Sequence, residues 1–319
     1  MMSITVSKLE KSKVEIIGSI PADYFNFFRK QALQNINDEI SLDGFRKGKV
    51  PENILISKVG EMSILEEMAE LALSKAYPEI IANEKIDAIG KPEIHITKIA
   101  SGNPLEFKII TAVIPKMNLG DYKKATKEIM LKPEEKFEVT NKEVEDAIER
   151  IKKSHTDHAG HDHESPESKE EIKKILLENK KYQAIEKRRI EMGDKLLGLS
   201  SAEIPEVLIE SEARRIESQF TEDIRRMGVS VEDYLKHAKK TLEDLRQDWR
   251  PYALKKAKLQ LILNEVAQIN KIVVDKKKIE EEVVHILTHY KDASQESAYI
   301  YAETILMNEE VFKFLESQK

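Results

Sequence analysis

The sequence predicts an α+β fold that is predominantly helical: an antiparallel mixed domain first, an extended all-helical arm region after it. Three observations carry this. Residues 1–120 hold 7 of the 11 Gly and 6 of the 10 Pro, so turns are concentrated early and long helices late. Ile and Val alternate with charged residues at both ends of that first stretch, which is the period of half-buried strands. From Thr140 onward apolar residues recur at steps of three and four, the period of an amphipathic helix. Strands and helices fall in separate blocks, which favours an antiparallel sheet over a parallel one.

Taken in order, Ile4, Val6, Val14 and Ile16 predict two short strands within residues 3–20, turning near 10–12. Pro21 suits a helix start. Phe25, Phe28, Ala32, Ile36 and Ile40 then form one buried stripe on a single helix. A polar loop over 41–51 follows, and after it short helices with Leu65, Met68 and Ala72 inward. Residues 94–100 and 105–114 read as a closing strand pair around Ser101, Gly102, Asn103 and Pro104. Further on, Ile209, Ala213, Ile216, Phe220, Ile224 and Met227 make a helical stripe that Gly228 caps. Ser230 with Asp233 resembles a capping box. Leu235, Ala238, Leu242, Leu245 and Trp249 continue at helical spacing until Pro251, which should end or kink that helix. Ile279, Val283, Ile286 and Tyr290 repeat the pattern after an Asp275 cap. These stripes are narrow on heavily charged helices, which suit arms or hairpins better than one ball.

Composition narrows the function. The 319 residues carry 52 Lys+Arg and 58 Asp+Glu, a net charge of −6, with both signs interspersed. That argues against a chain coated in nucleic acid and leaves a local basic patch open. Hydrophobic residues at 40% exclude general disorder. No run approaches the ~20 apolar residues of a membrane helix. The N-terminal residues lack the apolar centre of a signal peptide, so export is not expected. With no Cys, disulfides, thiol catalysis and Cys-based zinc sites are excluded.

The candidate binding element is the loop Gly44, Phe45, Arg46, Lys47, Gly48, Lys49, Val50, Pro51. A phosphate-cradling P-loop does not fit it. Three residues separate the glycines instead of four, and Val50 stands where a hydroxyl should hold Mg²⁺. Two glycines permit tight turning, three cations lie within four residues, and Phe45 is an apolar group beside them. Such a tip suits docking on a ribonucleoprotein surface: cations meet phosphate or acidic side chains and the aromatic fills a pocket. The bland alternative is an ordinary basic loop.

The stretch from Asp43 to Pro51 resembles the ribosome-binding motif of the trigger factor family, bacterial chaperones at the exit of the ribosomal tunnel. Its flanks agree, with Ile20, Pro21, Ala22 and Asp23 before it and Glu52, Asn53 and Ile54 after it. Residues 204–212, Tyr234 and 249–267 are similar to the family's C-terminal arm domain. The resemblance implies a ribosome-binding α+β domain over 1–118, a linker over 119–168 and a helical chaperone domain over 169–319. It assigns ribosome contact to Gly44, Phe45, Arg46, Lys47 and Lys49. It implies the large ribosomal subunit as partner through protein and rRNA, nascent or unfolded polypeptides as clients, and a homodimer off the ribosome. A cytoplasmic location and an ATP-independent mechanism without cofactors follow from it too. The family usually carries a β-rich FKBP-type peptidyl-prolyl isomerase domain of roughly 90 residues between the matched regions. Here residues 139–154 read as a helix with Val144, Ile148 and Ile151 inward, and the helical pattern restarts by Glu170 with Ile172, Ile175 and Leu176. The isomerase domain has no room, so no isomerase activity is expected.

In its place stands an insert with His155, His158, His161 and His163 among acids, Gly160 and Pro166. Imidazoles so close offer ligands to zinc, nickel or copper, and the bland reading is a solvated linker. His285 and His289, four apart on a helix, lack the Glu of a zincin pattern and read as surface histidines. The rival readings are an active peptidyl-prolyl isomerase, an exported periplasmic holdase with a similar arm domain, and a metal-buffering protein. The missing domain opposes the first, the ribosome-type loop the second, and only the insert supports the third.

Overall fold

The computed structural model describes residues 2–133, 137–157, 169–290 and 293–318, with the backbone alone over 151–157. The chain forms two compact units, each drawn from two stretches: Met1–Lys116 with Ala202–Ala257, and Met117–Ser201 with Lys258–Lys319.

The first unit is built on an antiparallel sheet of β1 (Ser3–Leu9), β2 (Lys13–Ile20), β3 (Ala88–Lys98) and β4 (Leu105–Val113), in the order β1-β2-β4-β3. Alternation along the two central strands sends Val14, Ile16 and Ile20 to the same face as Leu105, Phe107 and Ile109, and all six are buried. Three helices cover that face: α1 (Ala22–Asn26), α2 (Arg29–Glu39) and α3 (Glu52–Asn83). Phe25, Phe28, Ala32, Ile64, Met68 and Ala72 join Ile16, Ile20, Leu105, Phe107 and Ile109 in one cluster. The other face of the sheet carries charge, with Lys13–Glu93 and Lys108–Glu15 pairs at 3.7 Å. The sequence reading of an antiparallel α+β start therefore holds, and β3 begins earlier than its Ile alternation suggested, with a register shift between Ile89 and Glu93.

One local reading needs correction and another is refined. The stripe from Phe25 to Ile40 lies on two helices, not one. The Phe28 N–H donates to the Phe25 carbonyl (3.1 Å), and this tighter i to i+3 turn stacks both rings inward before α2 begins. The short helices expected after residue 51 are present as two helical stretches that meet within α3 at Gly60 (φ 82, ψ 156), a conformation essentially reserved for glycine.

The same unit contains α7 (Glu206–Arg226), α8 (Val231–Ala238) and the first part of α9 (Leu242–Asn270). Gly228 (φ 74) ends α7 as expected. Its N–H reaches the Arg225 carbonyl and the Val229 N–H the Ile224 carbonyl, the double bond of a Schellman cap. Ser230 Oγ accepts from the Asp233 N–H at 3.1 Å, which makes the expected cap of α8. Phe220 meets Tyr234 and Trp249, each with ring centroids 5.2 Å apart. Two expectations fail here, and of the two effects expected of Pro251 the helix end is not seen. Met227 is 72% exposed, because it is the cap residue and not part of the stripe. The spacing from Leu235 to Trp249 crosses a break at Lys239, which turns left-handed (φ 53) before a second capping box, Thr241 with Asp244, opens α9. Pro251 does not end α9. The bond that it forgoes would have used the carbonyl of Gln247, an exposed residue whose carbonyl water can serve.

The second unit is helical among its described residues: α4 (Tyr122–Met130), α5 (Asn141–Asp157), α6 (Lys169–Leu199), the rest of α9, α10 (Lys276–His289) and α11 (Gln295–Glu316). Met192 and Leu196 of α6, Ile262 and Val266 of α9, and Val311 and Leu315 of α11 form its centre. Arg189 Nε donates to Glu316 Oε1 at 2.8 Å, with its guanidinium 5.6 Å from the Phe312 ring centroid. Ile279, Val283 and Ile286 of α10 pack on Ala298 and Ala302 of α11, whereas Tyr290 is 61% exposed and leaves the stripe. Val144 of α5 and Ile172 of α6 are buried together, but Ile175 is half-exposed. Thr140 and Glu143 form a capping box at the start of α5, and Lys180 of α6 reaches the same carboxylate at 2.7 Å. Those bonds, the Lys180 contact foremost, pull the Glu143 carboxyl down from 4.5 to about 2. Among the described residues no helix is long and apolar enough to cross a membrane.

Two outcomes follow from this packing. A Cβ on Gly18 would lie 2.5 Å from Phe107 Cζ and 2.7 Å from Ile4 Cδ1, so Gly18→Val should destabilise the first unit by about 1–3 kcal/mol in urea unfolding. The Glu143 contacts are present above the ordinary carboxyl value of 4.5 and are lost as pH falls through about 2. Carbon-detected NMR should therefore show the Glu143 carboxyl titrating near pH 2, and Lys180→Met should move the midpoint up.

Candidate functional site

The expected binding loop connects α2 to α3, and its form follows from two glycines and one asparagine. The Phe45 N–H donates to the Leu42 carbonyl (3.1 Å) and the Lys49 N–H to the Arg46 carbonyl (3.0 Å), so two four-residue turns follow one another. Gly44 (φ 86) and Gly48 (φ 76) each occupy the third position of their turn, where a type II turn needs positive φ. Nothing lies within 4 Å of a Cβ at Gly44, so its requirement is conformational and not steric.

Asn37, near the end of α2, closes the base. Its Nδ2 donates to the Val50 carbonyl (2.9 Å) and its Oδ1 accepts from the Val50 N–H (3.1 Å). Its own carbonyl accepts from the Gly48 N–H (3.0 Å). The side-chain amide thus pairs with the returning backbone as a neighbouring strand would. Val50 itself is buried, and Pro51 then caps α3. Sequence reasoning missed Asn37. The available signal was a poor helix former placed two residues before the helix end at Glu39.

The platform under the loop is braced by polar straps. Arg29 of α2 pairs in a two-pronged contact with Glu61 of α3 (2.5 and 2.9 Å), and Asn35 Nδ2 donates to Glu67 Oε1 (2.7 Å). Hydrogen bonding from Arg29 holds the Glu61 carboxyl below its ordinary range, and Glu61 raises Arg29 in return.

The residues singled out in the sequence lie together on this loop. Phe45 is 39% exposed without a packing partner in the core clusters, and Arg46, Lys47 and Lys49 are exposed. None of the three cations has an ion-pair partner among the described residues. The chemistry on offer is adhesive: three uncommitted positive charges and one aromatic edge in a fixed arrangement.

The histidine candidates stand apart from this. His285 and His289 are exposed on α10 with ring centroids 4.5 Å apart, and His289 Nδ1 lies 3.0 Å from the His285 carbonyl. Among the described residues no three His, Asp or Glu side chains gather as a metal site. The side chain of His155 and all of His158, His161 and His163 lie outside the described residues.

Comparison with known proteins bears on the whole chain. A family model described as bacterial trigger factor protein matches residues 2–151, and its C-terminal counterpart matches 166–318. Trigger factor of Natranaerobius thermophilus is 31% identical over 157 residues, 49% of this chain and 34% of that protein. Trigger factor of Rhodococcus opacus is 33% identical over 147 residues, 46% of this chain and 31% of the relative. These alignments thus span about a third of those relatives. Trigger factor of Carboxydothermus hydrogenoformans aligns over 95% of this chain and 94% of its own length at 22% identity. That alignment runs to 407 positions against a chain of 319 residues, so the relative carries sequence that this chain lacks. A solved structure of the trigger factor chaperone covers 99% of this chain and 100% of its own, with a TM-score of 0.57 at 16% identity, a likeness of fold. With both family models matched in order along nearly the full length, the chain belongs to the trigger factor family.

Proposed function

We propose that the protein is an ATP-independent chaperone that docks at the ribosomal tunnel exit through the loop at residues 44–49 and shields nascent polypeptides with its helical regions. The observation that carries this is the loop: three unpaired cations and a half-exposed Phe45 on a tip locked by Asn37 and two glycine turns. A preorganised tip loses little entropy on docking. The contact residues are Gly44, Phe45, Arg46, Lys47 and Lys49. Phe45 enters an apolar pocket, and the cations meet acidic side chains or rRNA phosphates.

In this reading residues 1–118 form the ribosome-binding domain, 119–168 a linker and 169–319 the helical chaperone domain. Client capture uses many weak apolar contacts, for which exposed Met227, Val229 and Tyr234 are suited. Retention at the ribosome raises the effective concentration of these contacts near the emerging chain. The protein works in the cytoplasm, and it pairs with a second copy when off the ribosome. It is not an isomerase. Only residues 152–165 lie between the two matched family regions; α5 runs into that interval as far as Asp157, and α6 begins at Lys169.

Two assays test this. Replacing Phe45, Arg46 and Lys47 together by Ala should abolish co-sedimentation with ribosomes and leave the melting temperature unchanged. Asn37→Ala, which touches none of those side chains, should weaken binding by about tenfold if preorganisation contributes ~1.4 kcal/mol. Unaltered sedimentation of the triple variant would refute the docking assignment. In a prolyl-peptide assay the protein should not accelerate an isomerisation that takes tens to hundreds of seconds unaided, and a rate gain blocked by an FKBP-site inhibitor would contradict the non-enzymatic reading.

A further inference from the structure

We infer that α6 carries a second binding surface, one for the phosphate backbone of RNA, centred on Lys174, Lys181 and Arg188. Between residues 173 and 188 cations recur in two series at steps of seven: Lys173, Lys180, Lys187 and Lys174, Lys181, Arg188. At 100° per residue all six fall within an arc of about 140°. The acids of that span, Glu178 and Glu186, fall outside it. In a chain of net charge −6 this is a concentrated field of the opposite sign.

The cations are not equally available. Lys180 is committed to Glu143 and to the Glu138 carbonyl. Lys174, Lys181 and Arg188 have no ion-pair partner among the described residues; Lys174 and Lys181 are exposed and Arg188 is partly buried. Steps of seven at ~1.5 Å per residue separate them by about 10 Å, one above the other along the helix. Lys181 and Arg188 also border a cleft of about 490 Å³ floored by Ala184, Ile185 and Phe137, with Lys132 on its far side held by Glu191.

Regular positive charge beside an apolar, aromatic floor matches a polymer with a charge at every unit and bases that stack. RNA has both properties. An acidic polypeptide supplies regular charge but nothing to fill the floor beside Phe137. This surface uses no residue of the loop at 44–49, and binding here stands or falls separately from docking by that loop.

The test is fluorescence anisotropy of the full chain with a labelled RNA hairpin. The wild type should bind at about 0.1 M salt, with affinity falling as salt rises. K174E/K181E/R188E should bind at least about tenfold more weakly, with a salt slope shallower by ~2–3. In the background of the variant with Ala at Phe45, Arg46 and Lys47, the same charge reversals on α6 should still weaken hairpin binding at least about tenfold, which separates the α6 surface from any contribution of the loop. Should the charge reversals impair folding, K174Q/K181Q/R188Q, judged by an unchanged melting curve, reads the same quantity. No binding by the wild type, unchanged affinity in the folded triple variant, or a polyglutamate that binds as tightly as the hairpin would each overturn the assignment, the last in favour of an acidic polypeptide partner.

Discussion

The side-chain amide of Asn37 is the constraint on which the candidate site depends. A loop between two helices has no ladder to hold it, and its backbone groups at the base are too buried for water to serve them all. Asn37 answers with one donor and one acceptor aimed at Val50, and its own carbonyl takes the Gly48 N–H. Removing the side chain would leave the Val50 groups unpaired, at roughly 1–3 kcal/mol for each buried polar group. With the base closed, the two glycine turns fix where Phe45, Arg46 and Lys47 stand. The helix beneath is in turn fixed by Phe28 and Ala32 in the sheet-packed core.

Charge use across the chain makes the loop distinctive. Elsewhere the arginines that matter structurally are committed: Arg29 to Glu61, Arg189 to Glu316, Arg246 to Glu217 and Arg250 to Glu206. Hydrogen bonds to these carboxylates raise all four guanidinium groups above their ordinary value. Arg46, Lys47 and Lys49 make no such pair among the described residues. An exposed ion pair contributes little to stability, so leaving these cations unpaired costs the fold little while keeping them available to a partner. The same contrast separates Lys180 from Lys174 and Lys181 on α6.

What the sequence disclosed, it disclosed where one physical rule acted alone. Alternation marked Val14 and Ile16 and the stretch 105–114 as half-buried strands, and the positive φ of Gly228 followed from its place after a helical stripe. The loop was legible from composition, because glycines and unpaired cations beside one aromatic need no tertiary context. Misreadings came where rules competed. Periodicity from Phe25 to Ile40 was true of burial but blind to the turn at Phe28, since a 3₁₀ step also keeps i and i+3 on one side. Periodicity from Leu235 to Trp249 likewise ran through a left-handed Lys239. Pro251 sits inside α9, where the helix forgoes one hydrogen bond to the carbonyl of exposed Gln247. Asn37 stood out only as a poor helix former near a helix end; its role was not legible because its partner, Val50, lies thirteen residues away.

The central claim is that the tip of this loop is the part of the molecule that touches the ribosome. A photo-crosslinking amino acid at position 45, compared with the same probe at exposed Tyr290 just after α10, measures this directly on purified ribosomes. The account predicts a discrete adduct from position 45 to a large-subunit component at the tunnel exit and none from position 290. Equal labelling from both positions, or adducts from position 290 alone, would contradict it.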